Sequence, residues 1–398
     1  MNLKKCLFSF IVLFSALFYI YPQDYQLLEN GNQAFPKIIE CIQNSQSSIV
    51  INMFIWRDDT IGNRIASECL KAADRGVEIT ISKDLYGSVC EHAEESGKSF
   101  FHKKTKLSEK LKINTLKSLY KNPIEKNAKD SESELYKKII SHPNIHVQSQ
   151  TFKADHSKFY IFDNKILILG GINIEDKENG ADLSGRVYND YMLLLNGEQF
   201  VKLFYQYRQE RLSQENNIYF GVNLKNTEGK RKKSKDNFQL EQLYLDIINS
   251  SQEELIIVMA YFSPLKKFID AIIKANKRGV KVQIVIPMSA NFQDSSNKAT
   301  VKKLLKKSDG QIQIYFSPKM LHTKLVANEQ VISFGSCNIT KKAFNQLDEL
   351  NVFIKAQEVE LYRQIMQSIE KTILESNSIE VNDIKYNGFL AFLEGFLV

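Results

Sequence analysis

The strongest constraint on the fold is a strand–helix–strand unit that occurs twice in this 398-residue chain. Residues 47–88 contain an apolar strand, a polar turn, an amphipathic helix that ends near Gly76, and a second apolar strand. Residues 251–290 have the same order, and there Gly279 closes the helix. Glycine is a common helix cap, so the repeat rests on the recurrence of the whole unit. Strands that alternate with helices predict an α/β fold with a central sheet in each half.

The composition is that of a folded protein, with 43% hydrophobic and 25% charged residues, and the length suffices for two average domains. A mean hydropathy of −0.29 argues against a protein with many membrane spans. The net charge of +7 favours partners that carry phosphate, either lipid headgroups or nucleic acid, without choosing between them. The 5 cysteines form no C-x-x-C pair, so we predict no metal site and no cofactor.

The N-terminus has the order of an export signal or a membrane anchor. Lys4 and Lys5 precede residues 6–22, a run without a charged side chain. This basic-then-apolar order is typical of a secretory signal peptide or an uncleaved anchor. We therefore assign residues 1–23 to such a segment and expect a membrane-associated or exported protein.

A second repeat carries the residues suited to chemistry. Each copy reads H-x-K-x4-acid and is followed by a glycine turn and an asparagine, Asn173 or Asn338. The motif residues are His156, Lys158 and Asp163 in the first half and His322, Lys324 and Glu329 in the second. In a strand, residues two apart share a face, so each histidine and its lysine are predicted to point to one side. A phosphate there would meet imidazole as nucleophile or acid, a fixed positive charge, and asparagine amide donors.

These two motifs resemble the signature of the phospholipase D superfamily, and the resemblance extends over nearly the whole chain after the N-terminal segment. It implies an α/β fold of two similar lobes, each a central mixed β-sheet flanked by helices, with one active site at the lobe interface. It also implies a two-step, metal-independent reaction through a phosphohistidine. We expect His156 to be the nucleophile and His322 the acid/base, because the first motif is the intact one. Glu329 stands where the family usually has aspartate.

The resemblance also implies roles for four acidic residues. In the family, the acid inside each motif, here Asp163 and Glu329, supports the motif away from phosphorus. A further acid about thirty positions beyond each histidine is expected as the partner that orients its ring. Asp190 and Glu349 occupy these places, and both precede apolar runs that read as strands. We therefore predict that both belong to the catalytic group.

The motif spacing divides the chain into lobes. We assign residues 24–223 to the first lobe and residues 238–398 to the second, with a basic linker, 224–237, between them. The first lobe contains a lysine-rich insertion at about 91–143, expected to be a solvated helical excursion in preference to a lid or a membrane-contacting element. At the C-terminus, helical spacing places Phe389, Phe392, Leu393 and Phe396 on one face. We expect that face to dock against the body, with membrane contact as the alternative.

Three functions of different class stay open at this point. The first is transfer or hydrolysis of a phospholipid phosphodiester, since two stretches at the start of the first lobe also look like cardiolipin synthases. The second is an exported or membrane-associated nuclease, because the superfamily includes endonucleases, often half-length chains that dimerise. The third is a non-catalytic membrane protein with a decayed second motif. The expected partners are phospholipid and a membrane surface, with nucleic acid in the second case, and both motifs in one chain predict a monomer.

Overall fold

The structure is a computed structural model, and it describes residues 24–96, 99–102, 104–124, 133–149, 152–180, 187–209, 214–225 and 237–397. The N-terminal signal or anchor and the basic run of the linker, 230–235, lie outside the described residues. Within the described ranges, no helix combines the length and the apolar character that a membrane crossing needs.

The first half alternates strands and helices as its sequence predicts. Its strands are β1 (Tyr25–Glu29), β2 (Ser48–Met53), β3 (Glu78–Lys83), β4 (Ile145–Gln148), β5 (Lys158–Phe162), β6 (Ile166–Gly170), β7 (Tyr188–Asn189) and β8 (Tyr191–Asn196). Its helices are α1 (Asn30–Asn44), α2 (Thr60–Asp74), α3 (Leu85–Glu94), α4 (Leu107–Lys117), α5 (Glu134–Ser141) and α6 (Glu198–Gln209), with a 3₁₀ turn at Asp176–Asn179.

The second half repeats this order. Its strands are β9 (Ile218–Leu224), β10 (Asn237–Phe238), β11 (Glu254–Met259), β12 (Phe262–Ser263), β13 (Lys281–Pro287), β14 (Gln313–Ser317), β15 (Met320–Leu321), β16 (Lys324–Asn328), β17 (Val331–Gly335), β18 (Ile339–Thr340), β19 (Glu349–Lys355) and β20 (Asn377–Ser378). Its helices are α7 (Leu240–Ser250), α8 (Lys266–Lys277), α9 (Asp294–Lys307), α10 (Lys341–Asn345), α11 (Val359–Leu374) and α12 (Gly388–Leu397).

The two main sheets share one topology. The first has the order β1-β8-β6-β5-β2-β3-β4, and the second contains the matching run β19-β17-β16-β11-β13-β14. In each, three strands are parallel and the strands that follow the histidine are antiparallel to them. The predicted fold of two similar lobes with mixed sheets is therefore confirmed. β9, which begins before the predicted boundary at 223, pairs with β19, so the second sheet begins at Ile218.

The two sheets pack face to face across the lobe interface. Alternate residues of the first sheet, such as Phe159 and Leu193, belong to one hydrophobic cluster with Phe334 and Val352 of the second. The opposite face of the first sheet packs on α1 and α2 through a separate cluster that contains Tyr160. This alternation follows from the two-residue period of a strand. Both faces are buried, which explains why these strands read as continuous apolar runs.

The repeated arginine–glycine pair has a matching role in each half. Gly76 and Gly279 have φ of 95° and 92°, a left-handed conformation that glycine adopts without strain at a helix end. The arginine before each glycine ends one helix, and its side chain contacts the helix that comes before that one in the chain. Arg75 donates to three backbone carbonyls around the end of α1, and Arg278 does the same at the end of α7. Both arginines therefore satisfy carbonyls that a helix C-terminus leaves open.

The lysine-rich insertion at about 91–143 is solvated only in part, whereas the sequence predicted a solvated helical excursion. Most side chains of α4 are exposed, as expected. By contrast, Glu91 and Glu94 at the end of α3 are buried. Beyond α4, the backbone N–H of Lys121 donates to the carbonyl of Asn291 in the second lobe at 2.8 Å, and the ring of Tyr120 lies 4.9 Å from that of Phe292. The insertion therefore bridges the two lobes, because its aromatic and carboxylate residues are used inside the protein.

Candidate active site

Each histidine lies just before a strand and is held by the other lobe. His156 precedes β5 and His322 precedes β16, whereas the sequence placed both within strands. The backbone N–H of His156 donates to the carbonyl of Asp348 at 2.8 Å, and that of His322 donates to Asn189 at 2.8 Å. The motif strands begin two residues later than predicted; in the first lobe, the pairing of β5 with β2 begins only at Phe159. Each histidine backbone is therefore fixed across the lobe interface.

The carboxylate partners are exchanged between the lobes. Nδ1 of His156 lies 3.0 Å from Oε2 of Glu349. Nδ1 of His322 lies 3.0 Å from Oδ2 of Asp190. The expected pairing of each histidine with the acid about thirty positions beyond it is thus wrong. The exchange follows from the previous contacts, because Asp348 and Asn189, which hold the histidine backbones, directly precede the two acids.

A third carboxylate, which the sequence analysis missed, lies beside His322. Oε1 of Glu178, in the 3₁₀ turn, is 3.1 Å from Nδ1 of His322, and the ring N–H makes no linear hydrogen bond to either of its two acidic neighbours. Glu178 follows Asn173 by five residues, and the residue five positions after Asn338 is Ala343. The first half therefore has a glutamate where the second half has an alanine, and this difference is the sequence signal that could have revealed Glu178. His322 therefore has two carboxylate neighbours, whereas Glu349 is the carboxylate that contacts His156 among the described residues.

The second position of the G-[GS]-x-N turn adapts each half to its acid. A Cβ on Gly171 would lie 2.2 Å from Oδ2 of Asp190, so glycine is needed for the carboxylate to pass. At the matching position, the hydroxyl of Ser336 donates to Oε2 of Glu349. The longer glutamate is therefore accompanied by a hydroxyl donor, and the shorter aspartate by glycine.

The motif lysines lie behind the histidines. Both side chains are fully buried. Nζ of Lys158 donates to the carbonyl of His156 at 2.6 Å, and Nζ of Lys324 donates to the carbonyl of His322 and, at 3.2 Å, to Oδ2 of Asp190. Each ammonium thus fixes the backbone of its own histidine. Direct contact of the lysines with a phosphate stays a prediction.

The two asparagines face the same pocket with matching hydrogen bonds. Oδ1 of Asn173 accepts from the N–H of Ile55 at 3.3 Å, and Oδ1 of Asn338 accepts from the N–H of Tyr261 at 3.2 Å. Because each oxygen is occupied by a backbone donor, the amide nitrogen is the end left for an acceptor in the pocket. This orientation is the one that a phosphate oxygen requires.

Both histidines and both asparagines line one cavity of about 110 Å³. On this measure one water needs only about 10–15 Å³, so a group larger than several waters fits. Part of the wall is aromatic, and the rings belong to Phe54, Tyr86, Tyr120, Tyr188, Tyr261 and Phe292. Further polar side chains line another part, and they are Glu94, Glu175, Lys177, Asn291, Gln293, Thr340 and Lys342. The cavity therefore combines phosphate-binding groups with apolar surface.

The electrostatic environments of the two histidines differ. Burial, and then the charges of Lys158 and Lys324, hold the pKa of His156 well below its usual range. Burial and Lys324 also act to lower the pKa of His322, but Glu178 and Asp190 outweigh them and raise it. The first ring therefore favours the neutral form, and the second favours the protonated form more strongly than a free imidazole does. Such a difference would suit one ring to attack as a nucleophile and the other to act as an acid.

Burial also shifts the pKa values of the groups around the histidines. It raises the pKa of Glu349 to about 8, against the opposing effect of Lys158 and Ser336. Burial, together with Lys324, lowers the pKa of Lys158 to about 7. Both shifts reduce the charge held in the cavity before a phosphate enters. A bound phosphate would restore the ammonium form of the lysine through its negative charge.

The acid inside each motif lies away from the cavity and caps the N-terminal end of a central strand, β2 in the first lobe and β11 in the second. The carboxylate of Asp163 accepts from the N–H groups of residues 46–48. The carboxylate of Glu329 accepts from those of residues 252–254 in the same way. The longer side chain thus reaches the same set of donors although the turn after it is one residue shorter.

A family model agrees with this arrangement. The family described as "Cardiolipin synthase, PLD-like domain" matches residues 38–211 and 244–373. Cardiolipin synthase B of Escherichia coli K12 is 24% identical over 347 residues, which cover 83% of this chain and 76% of that protein. Cardiolipin synthase 2 of Staphylococcus epidermidis is 25% identical and covers 96% of this chain and 74% of its own length. These findings confirm the resemblance stated from the motifs.

Solved structures share the fold at low sequence identity. Phosphatidylserine synthase from Haemophilus influenzae Rd KW20 superposes with a TM-score of 0.66 at 12% identity, over 94% of this chain and 92% of that one. Polyphosphate kinase from Porphyromonas gingivalis gives a TM-score of 0.53 at 12% identity and is covered over 53% of its length. At such identities the likeness concerns the fold alone.

Proposed function

This chain belongs to the cardiolipin synthase, PLD-like domain family, and from that premise we propose that it is a phosphatidyltransferase that moves a phosphatidyl group from one alcohol to another through a phosphohistidine at His156. The observation that carries the proposal is that one cavity is lined by two histidines whose environments differ: the pKa of His156 is lowered and that of His322 is raised. Both motif copies complete one site within one chain, so we propose that the monomer is the active form.

In the first step, neutral His156 attacks phosphorus through Nε2. The bond between phosphorus and the leaving alcohol oxygen breaks, and protonated His322 transfers its proton to that oxygen. The phosphohistidine carries positive charge on its ring, next to the carboxyl group of Glu349 at Nδ1. The amide groups of Asn173 and Asn338 bind the phosphoryl oxygens while charge develops on them.

In the second step, the acceptor alcohol enters the position of the leaving group. Neutral His322 takes the hydroxyl proton, the alcohol oxygen attacks phosphorus, and the P–N bond to His156 breaks. Both histidines return to their starting protonation states. Glu178 and Asp190 favour proton uptake by His322 in this step, because two carboxylates stabilise the imidazolium.

A phospholipid is the substrate class that the cavity supports best. Six aromatic rings in its wall provide apolar surface for the glycerol and acyl parts next to the phosphate-binding groups. The resemblance to two cardiolipin synthases over most of this chain supports the same class. We propose phosphatidylglycerol as donor and acceptor, so that two molecules give cardiolipin and glycerol.

The test uses the full chain in mixed micelles with phosphatidylglycerol, and separately with single-stranded and duplex DNA, with products identified by mass spectrometry. We expect cardiolipin and glycerol from the wild type and none from His156→Asn. The matched control is His146→Asn, which changes an exposed histidine of the same lobe on β4. Phosphatidic acid as the main product would replace transfer by hydrolysis, and cut DNA with intact lipid would make the protein a nuclease.

A second measurement separates the roles of the histidines. In His322→Ala, a phosphatidyl ester of p-nitrophenol releases its leaving group without an acid, so the first step should proceed and the second should stall. We expect the phosphatidyl adduct to accumulate on the peptide that contains His156. An adduct on the peptide with residue 322 in the reciprocal His156→Ala variant of the same assay would reverse the assignment.

A further inference from the structure

The C-terminal helix α12 has the reverse of the usual amphipathic arrangement. Its one acidic residue, Glu394, is only 2% exposed, whereas Phe389 is 72% and Phe392 is 68% exposed. The sequence predicted that the face with Phe389, Phe392, Leu393 and Phe396 would dock against the body. Phe389 and Phe392 are exposed instead, Leu393 is half-buried, and the side chain of Phe396 lies outside the described residues. A folded protein seldom turns large aromatic side chains towards water while it buries a carboxylate on the same helix.

The buried carboxylate explains how the helix is held. Oε2 of Glu394 accepts from the backbone N–H of Ser296 at 2.7 Å. Ser296 lies in the first turn of α9, where backbone N–H groups have no partner inside their own helix. The chain before α12 is also attached, since Nζ of Lys302 donates to the carbonyl of Ile384 at 2.8 Å. These contacts fix α12 on α9 with Phe389 and Phe392 directed outwards.

This position lies close to the wall of the candidate active-site cavity. Phe292 and Gln293, which line the cavity, directly precede α9. Glu394 contacts α9 within a few residues of them, and a Cβ on the neighbouring Gly395 would lie 3.5 Å from the hydroxyl of Ser263. The exposed phenylalanines are therefore carried by a helix that packs on α9, and α9 directly follows two residues of the cavity wall.

Lysines outnumber carboxylates on α9 and the segment that leads into α12, taken together. On α9, Lys303, Lys306 and Lys307 are exposed, and Lys298 and Lys302 are half-buried. Among the carboxylates of this region, Asp294 is paired with Lys298 at 2.7 Å, Asp270 lies 3.9 Å from Nζ of Lys307, and Glu380 and Asp383 are exposed. Because Glu394 is buried, α12 itself presents no exposed carboxylate in its described part. An apolar aromatic stripe beside lysines matches a bilayer whose headgroups carry negative charge.

We propose that α12 is a docking helix that inserts Phe389 and Phe392 into an anionic phospholipid surface, and so places the cavity mouth against the bilayer. The proposal deepens the proposed function and rests on it for its purpose, because a lipid substrate has to enter from that surface. Insertion itself does not depend on turnover. The test is chosen to read insertion directly, so that a failure of the chemistry and a failure of docking are distinguished.

The main experiment places a fluorescent reporter on the helix. Trp56 is the single tryptophan of the chain and is 0% exposed, so it gives a constant background. Phe389→Trp in the full chain is reconstituted in phosphatidylglycerol vesicles with and without brominated acyl chains. We expect bromine to quench the indole introduced at position 389 several-fold more strongly than that of the control Val359→Trp, which changes a 69% exposed residue on α11. The control is needed because the N-terminal segment can itself bring the chain to the membrane.

Two outcomes of this experiment would overturn the proposal. In one, the indole introduced at position 389 is quenched by aqueous acrylamide as strongly with vesicles as without them. In the other, this indole is shielded from acrylamide before any vesicle is added, which means that a protein surface covers it. Equal quenching by bromine in phosphatidylcholine vesicles would overturn the part of the proposal that concerns anionic lipid.

A second variant links docking to catalysis. We expect Phe389→Asp/Phe392→Asp to lower turnover of long-chain phosphatidylglycerol in vesicles at least ten-fold and to leave turnover of a monomeric short-chain analogue unchanged. Unchanged turnover on vesicles would contradict docking through α12. If the variant loses both activities, the quenching result decides, because it needs no activity. If the wild type turns over neither lipid, the proposed function fails while the quenching result still tests insertion.

Discussion

Nδ1 of His156 lies 3.0 Å from Oε2 of Glu349, a residue 193 positions further along the chain and in the other lobe. His322 and Asp190 have the reciprocal relationship at 3.0 Å. Neither lobe alone therefore contains a histidine together with its acid. The site exists only when the sheets are packed face to face, so activity depends on the stability of the lobe interface.

The pH dependence of kcat/KM should be bell-shaped. The lowered pKa of His156 places the acidic limb well below 6.5, because the nucleophile must be neutral. The raised pKa of His322 places the alkaline limb above 6.5, because the acid must be protonated. Glu178→Gln removes one of the two carboxylates at His322, so we expect the alkaline limb to move about one pH unit or more towards acid.

The control for this shift is Glu198→Gln, which changes an exposed glutamate on α6. The measurement is the full pH profile of each variant. A role of Glu178 in folding alone would lower activity at every pH without moving the limb, and that result would contradict the proposed effect on His322.

Gly171→Ala should lower kcat/KM by about 100-fold, because a Cβ there would lie 2.2 Å from Oδ2 of Asp190 and would displace this carboxylate from His322. Gly388→Ala is the control, since no atom lies within 4 Å of its Cβ position. Steady-state kinetics and circular dichroism of both variants check the prediction. Full activity of Gly171→Ala would show that the reaction does not require the Asp190 carboxylate in this position.

Arg57→Met should destabilise the fold by about 3–5 kcal/mol, because it leaves buried carboxylates without their cation. Arg57 is buried and contacts Glu94 and Glu175 at 2.6 Å each. Although burial acts to raise the pKa of Glu94, Lys177 and Arg57 lower it, so the carboxylate is charged at neutral pH. Denaturant titration measures the loss, and Arg64→Met, at an exposed position of α2, should change the free energy of unfolding little.

Glu329→Asp should retain activity, because either acid can accept from the backbone donors at 252–254. Glu329→Gln should instead cost about 1–2 kcal/mol of stability at pH 7. Although burial acts to raise the pKa of Glu329, the backbone N–H groups lower it. A lowered folded-state pKa stabilises the fold above the unfolded-state value, and this contribution disappears as the pH falls through the folded-state pKa.

Unfolding of the wild type and of Glu329→Gln at several pH values tests this sign. The two proteins should differ at pH 7 and converge at acidic pH. A constant difference would mean that Glu329 acts through its shape and not through its charge. A loss of activity in Glu329→Asp at full stability would give this acid a role in the reaction.

The sequence by itself determined the two lobes, the mixed sheets, and the identity of the histidines, lysines and asparagines of the two motifs. These follow from short-range patterns: strand alternation, helix period, and motifs in which all residues lie within about twenty positions of one another. The place of Asp163 and Glu329 away from the cavity was expected from the resemblance to the phospholipase D superfamily.

Only the tertiary structure decided which acid meets which histidine, that Glu178 joins His322, and that α12 buries Glu394 and exposes its phenylalanines. Each of these depends on contacts between segments far apart in the chain. Local periodicity gives the direction of a side chain relative to its own element, but the neighbour that it meets is set by how the sheets and helices pack. Spacing along the sequence suggests that each histidine meets the acid of its own lobe, whereas the packed interface brings it to the acid of the other lobe.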